Sequence, residues 1–189
     1  MRKGAARADY SHSTPHTVMS LRVLPVMHTA LLPSPVGPLY VELEAGRLSA
    51  LYTAEHRLHT HAEAPRDPAF GVIREQLDEY FAGARQTFDL PLHEVGTPFE
   101  KAVWARLRTI PFGSTATYGE LARELNSAAR AVGRANGRNR ISIIVPCHRV
   151  VGANGHLTGY AGGIPTKQAL LEHEGLFAGR PSGPPGVVS

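Results

Sequence analysis

The hydrophobic pattern of the chain changes its period near residue 67, and this change limits the folds that the sequence can adopt. Apolar and polar side chains alternate through much of residues 28–61, as in the segment 39–44, which a turn signal at Ala45-Gly46 follows. Such alternation is typical of antiparallel strands with one buried face. We therefore predict a small antiparallel hairpin or meander in the first half of the chain.

A helical period replaces the alternation after Asp67-Pro68 and ends at Gly83. Its apolar residues share one helical face and lie at Phe70, Ile73, Leu77 and Phe81. The pattern predicts one amphipathic helix that covers the sheet. Residues 87–95 return to an extended pattern, and we place a boundary at Gly96-Thr97-Pro98.

Two capping boxes mark helix starts in the second half of the chain. Thr97 and Glu100 form the first, which opens a helix that we expect to run to Pro111-Phe112-Gly113 and to bury Trp104. Thr117 and Glu120 form the second. After a short connection at 126–127, a third helix is predicted from Ala128 to about Asn136, which gives helix-turn-helix geometry.

The third helix combines small residues with arginines. Ala129 and Gly133 allow close backbone approach, and Arg130, Arg134 and Arg138 are spaced four apart on one side. Residues 97–189 carry 11 basic and 5 acidic side chains, whereas residues 28–96 carry 5 and 10. This asymmetry is consistent with a polyanionic partner for the second half, and equally with an unevenly charged solvated surface.

The single cysteine, Cys147, follows the apolar run 141–145, which we predict to be a buried strand. A lone cysteine is more often an inert buried residue than a nucleophile. Its neighbours favour chemistry, because His148 and Arg149 can lower the pKa of a thiol, and the thiolate is the attacking form. Carboxylates near the last predicted helix, among them Glu174, are available to orient His148.

Several features exclude whole classes of protein. One cysteine rules out an internal disulfide and zinc sites with two or more thiolates, and no run reaches the ~18 apolar residues of a membrane helix. Residues 1–27 lack a signal peptide and are expected to form a disordered tail. The cluster of His56, His59 and His61 is interpreted as exposed and metal-free. We predict no metal and no cofactor, and expect the cytoplasm, or the nucleus in a eukaryote, as the reducing compartment.

The second half of the chain resembles the O6-alkylguanine-DNA alkyltransferases, also called methylated-DNA-protein-cysteine methyltransferases. The resemblance is specific over residues 97–176 and general over 28–96. The motifs that carry it are Pro146-Cys147-His148-Arg149-Val150, Ala129-Arg130-Ala131-Val132-Gly133, Thr117-Tyr118, Asn139, Gly159-Tyr160-Ala161-Gly162-Gly163 and Leu170-Leu171-Glu172-His173-Glu174-Gly175.

The resemblance implies a suicide reaction on double-stranded DNA. Cys147 would accept the alkyl group from O6-alkylguanine, and also from O4-alkylthymine, once and irreversibly. His148 would remove the thiol proton through a water, Glu174 would polarise His148, and Asn139 would brace the active-site turn. No cofactor takes part.

The resemblance also implies base flipping, with a recognition helix in the minor groove. Arg130 would fill the gap left in the stack, and Tyr118 would crowd the adjacent phosphate and contact the flipped guanine. Main-chain groups at Cys147 and Val150 would read the guanine edge, and Tyr160 with the amide of Ala161 would close the pocket. Further DNA contacts are expected on the recognition helix at Ala129, Gly133, Arg134 and Asn136.

The implied fold class is α+β, and the implied protein is a monomer. We expect a tail at 1–27, a ribonuclease H-like sheet with a helix at 28–96, a winged helix-turn-helix domain with the active site at 97–178, and a second tail at 179–189. Three alternatives remain open from the residues alone. They are a cysteine hydrolase, a non-catalytic lesion binder of the alkyltransferase-like type, and a winged-helix regulator.

Overall fold

A computed structural model describes residues 27–53 and 67–176 of the protein. The tails predicted at 1–27 and 179–189 lie outside the described residues, except Met27, which begins a strand instead of ending a tail. The cluster of His56, His59 and His61 also lies outside the described residues. No helix among the described residues is long and apolar enough to cross a membrane.

The first half of the described chain is an antiparallel meander covered by one helix, as the sequence predicts. The strands are β1 (Met27–Leu32), β2 (Leu39–Glu44) and β3 (Arg47–Thr53), in the order β1-β2-β3. Ala45 and Gly46 join β2 to β3 with φ of 49° and 73°, the left-handed conformation that two-residue hairpin turns require. Helix α1 (Ala69–Phe81) packs on the sheet through Phe70, Ile73, Leu77 and other buried residues.

Four α-helices lie in the second half of the described chain, and both predicted capping boxes are present. Helix α2 (Pro98–Leu107) begins after Thr97, and α3 (Tyr118–Glu124) begins after Thr117. In each box the threonine hydroxyl accepts a hydrogen bond from the backbone amide of the third helical residue. That residue is a glutamate, and its carboxylate accepts from the backbone amide of the threonine. Helices α4 (Ala129–Gly137) and α5 (Ile164–His173) complete the set. Helix α2 ends before Pro111, earlier than predicted.

The prediction of a buried strand at residues 141–145 is wrong. These residues are buried, but they form consecutive turns, and only Ile141 makes a bridge, to Leu51 of β3. Ile143 has φ of 72°, which breaks any extended run. The Asn139 side chain stabilises the turns, because its amide donates to Val145 O (2.8 Å) and its oxygen accepts from Ile141 N (2.9 Å).

One hydrophobic core extends through both halves of the chain. It includes Leu51 from the sheet, Tyr80 from α1, Trp104 from α2 and Cys147. Trp104 is 3% exposed and its indole donates to Ala135 O at 2.9 Å, which ties α2 to α4. A short parallel pair, β4 (Ala116–Thr117) with β5 (Val150–Val151), joins the start of α3 to the segment after Cys147.

Replacing Gly96 by alanine is expected to lower the free energy of unfolding by about 1 to 3 kcal/mol, because overpacking a rigid neighbour strains the core. An added Cβ would lie 2.5 Å from the Trp104 ring. Gly71 in α1 is the matched control, since its added Cβ meets nothing within 4 Å. Gly71→Ala should be neutral or stabilising. Urea denaturation of both variants tests this, and equal effects would contradict it.

Candidate active site

Cys147 opens a short 3-10 turn, Cys147–Arg149, immediately after Pro146. The residue is 5% exposed, and its amide donates to Val145 O at 2.7 Å. Val145 O also accepts from Asn139, so the asparagine holds the backbone that presents the thiol. The single cysteine therefore lies in a tightly braced turn under the protein surface.

The surroundings of the thiol differ from the sequence-based expectation. Burial raises the pKa of Cys147, partly offset by hydrogen bonds with Asn139 and Ser142 and by the charge of Lys167. Arg149 does not serve the thiol, because its guanidinium binds Glu174 and donates to Ile110 O at 2.6 Å. The expectation that His148 and Arg149 lower the pKa of the thiol is wrong, and a neutral resting thiol needs a base.

His148, the next residue, is placed to be that base. Its side chain is fully buried, and its Nε2 lies 2.9 Å from Glu174 Oε1. Burial lowers the pKa of His148 more than the nearby Glu174 carboxylate raises it. The ring is therefore neutral at rest. Because a carboxylate only accepts, Nε2 carries the proton and Nδ1 is an acceptor. Nδ1 has no hydrogen-bond partner among the described residues.

Glu174, directly after α5, is a buried carboxylate surrounded by donors. Arg149 Nε and Nη2 each donate to it at 2.9 Å, Tyr80 Oη at 2.8 Å and Gly113 N at 3.2 Å. Burial alone would raise the pKa of Glu174, but the bonds from His148 and Arg149 lower it to about 2. The carboxylate therefore stays ionised and fixes the orientation of the imidazole.

Three residues of this site were missed by the sequence analysis. Lys167 of α5 is 0% exposed, and its Nζ donates to Val150 O (2.5 Å) and Thr158 O (2.7 Å). Ser142 contacts both Cys147 and Tyr160, and Tyr80 reaches Glu174 from the first half of the chain. The burial of Lys167 was predictable from the helical pattern, since position 167 lies on the same helical face as the apolar Leu170 and Leu171.

A cavity of about 540 Å³ lies between α4 and the segment 158–161. It brings together five of the predicted substrate-binding residues, Tyr118, Ala129, Gly133, Tyr160 and Ala161, along with Gly137, Thr158 and Gly159. Cys147 is close enough to Tyr118 and Tyr160 for its charge to raise the pKa of both hydroxyls, after the larger effect of burial. Two of the residues that line the cavity therefore lie near Cys147, which is not itself among the lining residues.

The outer face of α4 carries Arg130 and Arg134, which are exposed and form no ion pair among the described residues. Arg138 is 70% exposed but pairs with Glu100 at 2.6 Å. Asn136 is 3% exposed on the inner face, next to the Tyr118 hydroxyl. Asn136 lies one turn after Val132, so its side chain points inward rather than to the outer face of the helix, and its contact with substrate stays a prediction.

The Val150 carbonyl already accepts from Lys167, and Val150 itself is fully buried in β5. A carbonyl has two lone pairs, so the bond with Lys167 leaves one acceptor position on this oxygen. Lys167 thereby fixes the direction of a main-chain group that the sequence analysis assigned to guanine recognition.

Comparisons with known proteins identify the family. Residues 27–93 match the 6-O-methylguanine DNA methyltransferase, ribonuclease-like domain, and residues 98–176 match the DNA binding domain of the same family. The methylated-DNA--protein-cysteine methyltransferase of Mycobacterium bovis is 47% identical over 154 residues, which cover 79% of this chain and 93% of that protein. The protein of the same name from Methanosarcina acetivorans is 46% identical, with 79% and 99% covered.

Comparison with solved structures identifies the same family. A crystal structure of Mycobacterium tuberculosis OGT in complex with DNA has a TM-score of 0.71 and 49% sequence identity, and the match covers 78% of this chain and 92% of that one. Both halves of the described chain are thus matched in sequence, and the fold is matched as well. The chain belongs to the 6-O-methylguanine DNA methyltransferase family.

Proposed function

We propose that this protein repairs DNA by moving the alkyl group of O6-alkylguanine, and of O4-alkylthymine, onto Cys147, once per molecule. The observation that carries the proposal is the buried His148, whose Nε2 is held by Glu174 and whose Nδ1 is free to accept a proton beside the only cysteine of the chain. This arrangement supplies nucleophile, base and orienting carboxylate in one site.

The reaction balances without a cofactor. Sγ of Cys147 attacks the alkyl carbon, so that an S–C bond forms and the C–O6 bond breaks with its electron pair going to guanine. The thiol proton passes through a water molecule to Nδ1 of His148, and Nε2 keeps its bond to Glu174 throughout. Guanine then takes one proton from solvent at N1, and the protonated His148 later releases one proton to solvent. The product is a thioether, which has no good leaving group, so the protein is consumed.

DNA recognition is assigned to α3 and α4. Arg130 and Arg134 are exposed on α4, and its small residues allow close contact with a groove. The target atom lies inside a duplex, so the nucleotide must rotate into the cavity lined by Tyr118 and Tyr160. Arg130 would fill the vacated stack. We expect the protein to act as a monomer in the cytoplasm.

The decisive experiment is intact-protein mass spectrometry after incubation with duplex DNA that contains one O6-methylguanine. The expected result is a single, stoichiometric gain of about 14 Da, one methylene equivalent, in the wild type. Cys147→Ala and an undamaged duplex are the controls, and neither should show the gain. Binding of the damaged duplex with no change in mass would reject the transferase and favour a non-catalytic lesion binder.

A further inference from the structure

Tyr80 brings the first half of the chain into direct contact with the catalytic carboxylate. It lies on α1, is 0% exposed, and donates to Glu174 Oε1 at 2.8 Å. The same oxygen is 2.9 Å from His148 Nε2. Tyr80 and His148 therefore share one acceptor atom, although they lie on opposite sides of the boundary near Gly96.

The tyrosine is held firmly enough to position its partner. Its ring packs against Phe112 with centroids 5.9 Å apart and against His173 at 4.9 Å, and its carbonyl lies 2.7 Å from His173 Nε2. Burial, followed by the charge of Glu174, raises the pKa of Tyr80 far above its ordinary value. The hydroxyl is therefore a hydrogen-bond donor at every pH at which the protein works.

We propose that Tyr80 is a positioning residue for alkyl transfer, whose hydroxyl fixes the Glu174 carboxylate and limits how strongly it attracts the His148 proton. This inference rests on the proposed function and adds to it that the relay is assembled from both halves of the chain. Without the hydroxyl, Oε1 carries more negative charge toward His148, so the protonated ring is favoured. Only the neutral ring can accept the thiol proton at Nδ1.

Other charged and titratable groups surround His148 and Tyr80, and they stay in place when Tyr80 is changed. They are Arg149 and Lys167, which oppose protonation of His148, the adjacent thiol of Cys147, and His173 against the Tyr80 ring. A shift in the titration of the relay on removing one hydroxyl is therefore attributable to that hydroxyl.

The test is the single-turnover rate of alkyl transfer at saturating O6-methylguanine duplex, measured from pH 5 to 8.5 for the wild type and Tyr80→Phe. The acidic limb of the rate profile is expected to move to higher pH by about half a unit for Tyr80→Phe. This shift corresponds to a fraction of the free energy that one hydrogen bond to a carboxylate contributes. The plateau rate should fall about threefold or more. Tyr40→Phe is the matched control, since Tyr40 is a buried tyrosine of β2 whose hydroxyl interacts with Glu42.

A second variant guards against a folding defect in the first. Site-specific replacement of Tyr80 by 3-fluorotyrosine keeps the ring and the hydroxyl and makes the hydroxyl a stronger donor. It should move the acidic limb to lower pH, opposite to Tyr80→Phe. A limb that stays at the wild-type pH in both variants would overturn the role of Tyr80 and leave it as core packing. A wild type that fails to transfer the alkyl group would instead reject the proposed function itself.

Discussion

Replacing Glu174 by glutamine is expected to slow alkyl transfer about a hundredfold and to lower the free energy of unfolding by about 3 kcal/mol, the cost of leaving a buried charge unpaired. The amide cannot carry the charge that Arg149 requires, and Arg149 is only 5% exposed. His148 keeps at most an amide oxygen as acceptor, which lacks the charge that stabilises the protonated ring after it takes the thiol proton. Rates by quenched-flow mass spectrometry and stabilities by urea denaturation measure the two effects.

Glu172→Gln is the matched control for this prediction. Glu172 lies two residues earlier on α5, is exposed, and accepts from Gln168 at 2.8 Å. The variant should transfer alkyl groups at the wild-type rate.

The wild type should also lose stability as pH falls from 4.5 to about 2, because the pKa of Glu174 is lower in the folded protein than in the unfolded chain, so protonation favours the unfolded chain. A Glu174→Gln variant as active as Glu172→Gln would contradict the assignment.

The second large effect concerns Lys167 at alkaline pH. Burial lowers the pKa of Lys167 from 10.5 to about 8, against a smaller opposing effect of Cys147. Between these values the unfolded chain binds one more proton than the folded one, so rising pH stabilises the fold. From pH 8 to 10 the wild type should gain about 2 to 3 kcal/mol of unfolding free energy relative to Lys167→Met.

Urea denaturation at pH 7, 8, 9 and 10 measures this difference. The raised pKa of Cys147 acts in the opposite direction in both proteins. Because the charge of Lys167 lowers that pKa, removing the lysine raises it further, and this does not reverse the sign of the expected difference. Lys101→Met removes an exposed lysine of α2 and should give a difference that does not change with pH. Parallel curves for the wild type and Lys167→Met would show that the buried amine does not titrate in this range.

Local signals predicted the elements that local interactions form. The capping boxes at Thr97 and Thr117 lie within four residues each and set the helix starts correctly. The turn at Ala45-Gly46 and the amphipathic α1 follow in the same way. The cluster of Cys147, His148 and Glu174 was also predicted, through a resemblance that rests on their motifs, and the structure places these residues together.

Long-range contacts and the local backbone conformation were not predictable from the pattern of apolar and polar residues. The apolar run at 141–145 indicates burial, but burial does not distinguish a strand from turns that one asparagine side chain stabilises. The inward direction of the Asn136 side chain was not predictable either, because it depends on how α4 packs against its neighbours. Tyr80 lies 94 residues before Glu174, and no sequence signal connects a tyrosine in a covering helix with that carboxylate.

The separation of the relay along the chain sets an order for its appearance during synthesis. His148 precedes Glu174 by 26 residues, and Tyr80 precedes both. At roughly 5–20 residues per second, the ribosome adds the carboxylate about one to five seconds after the imidazole. During that interval the nascent chain holds a cysteine whose base has no orienting partner. The ability to accept an alkyl group from a damaged base is thus acquired late, when the last described helix docks and Glu174 meets the residues that surround it.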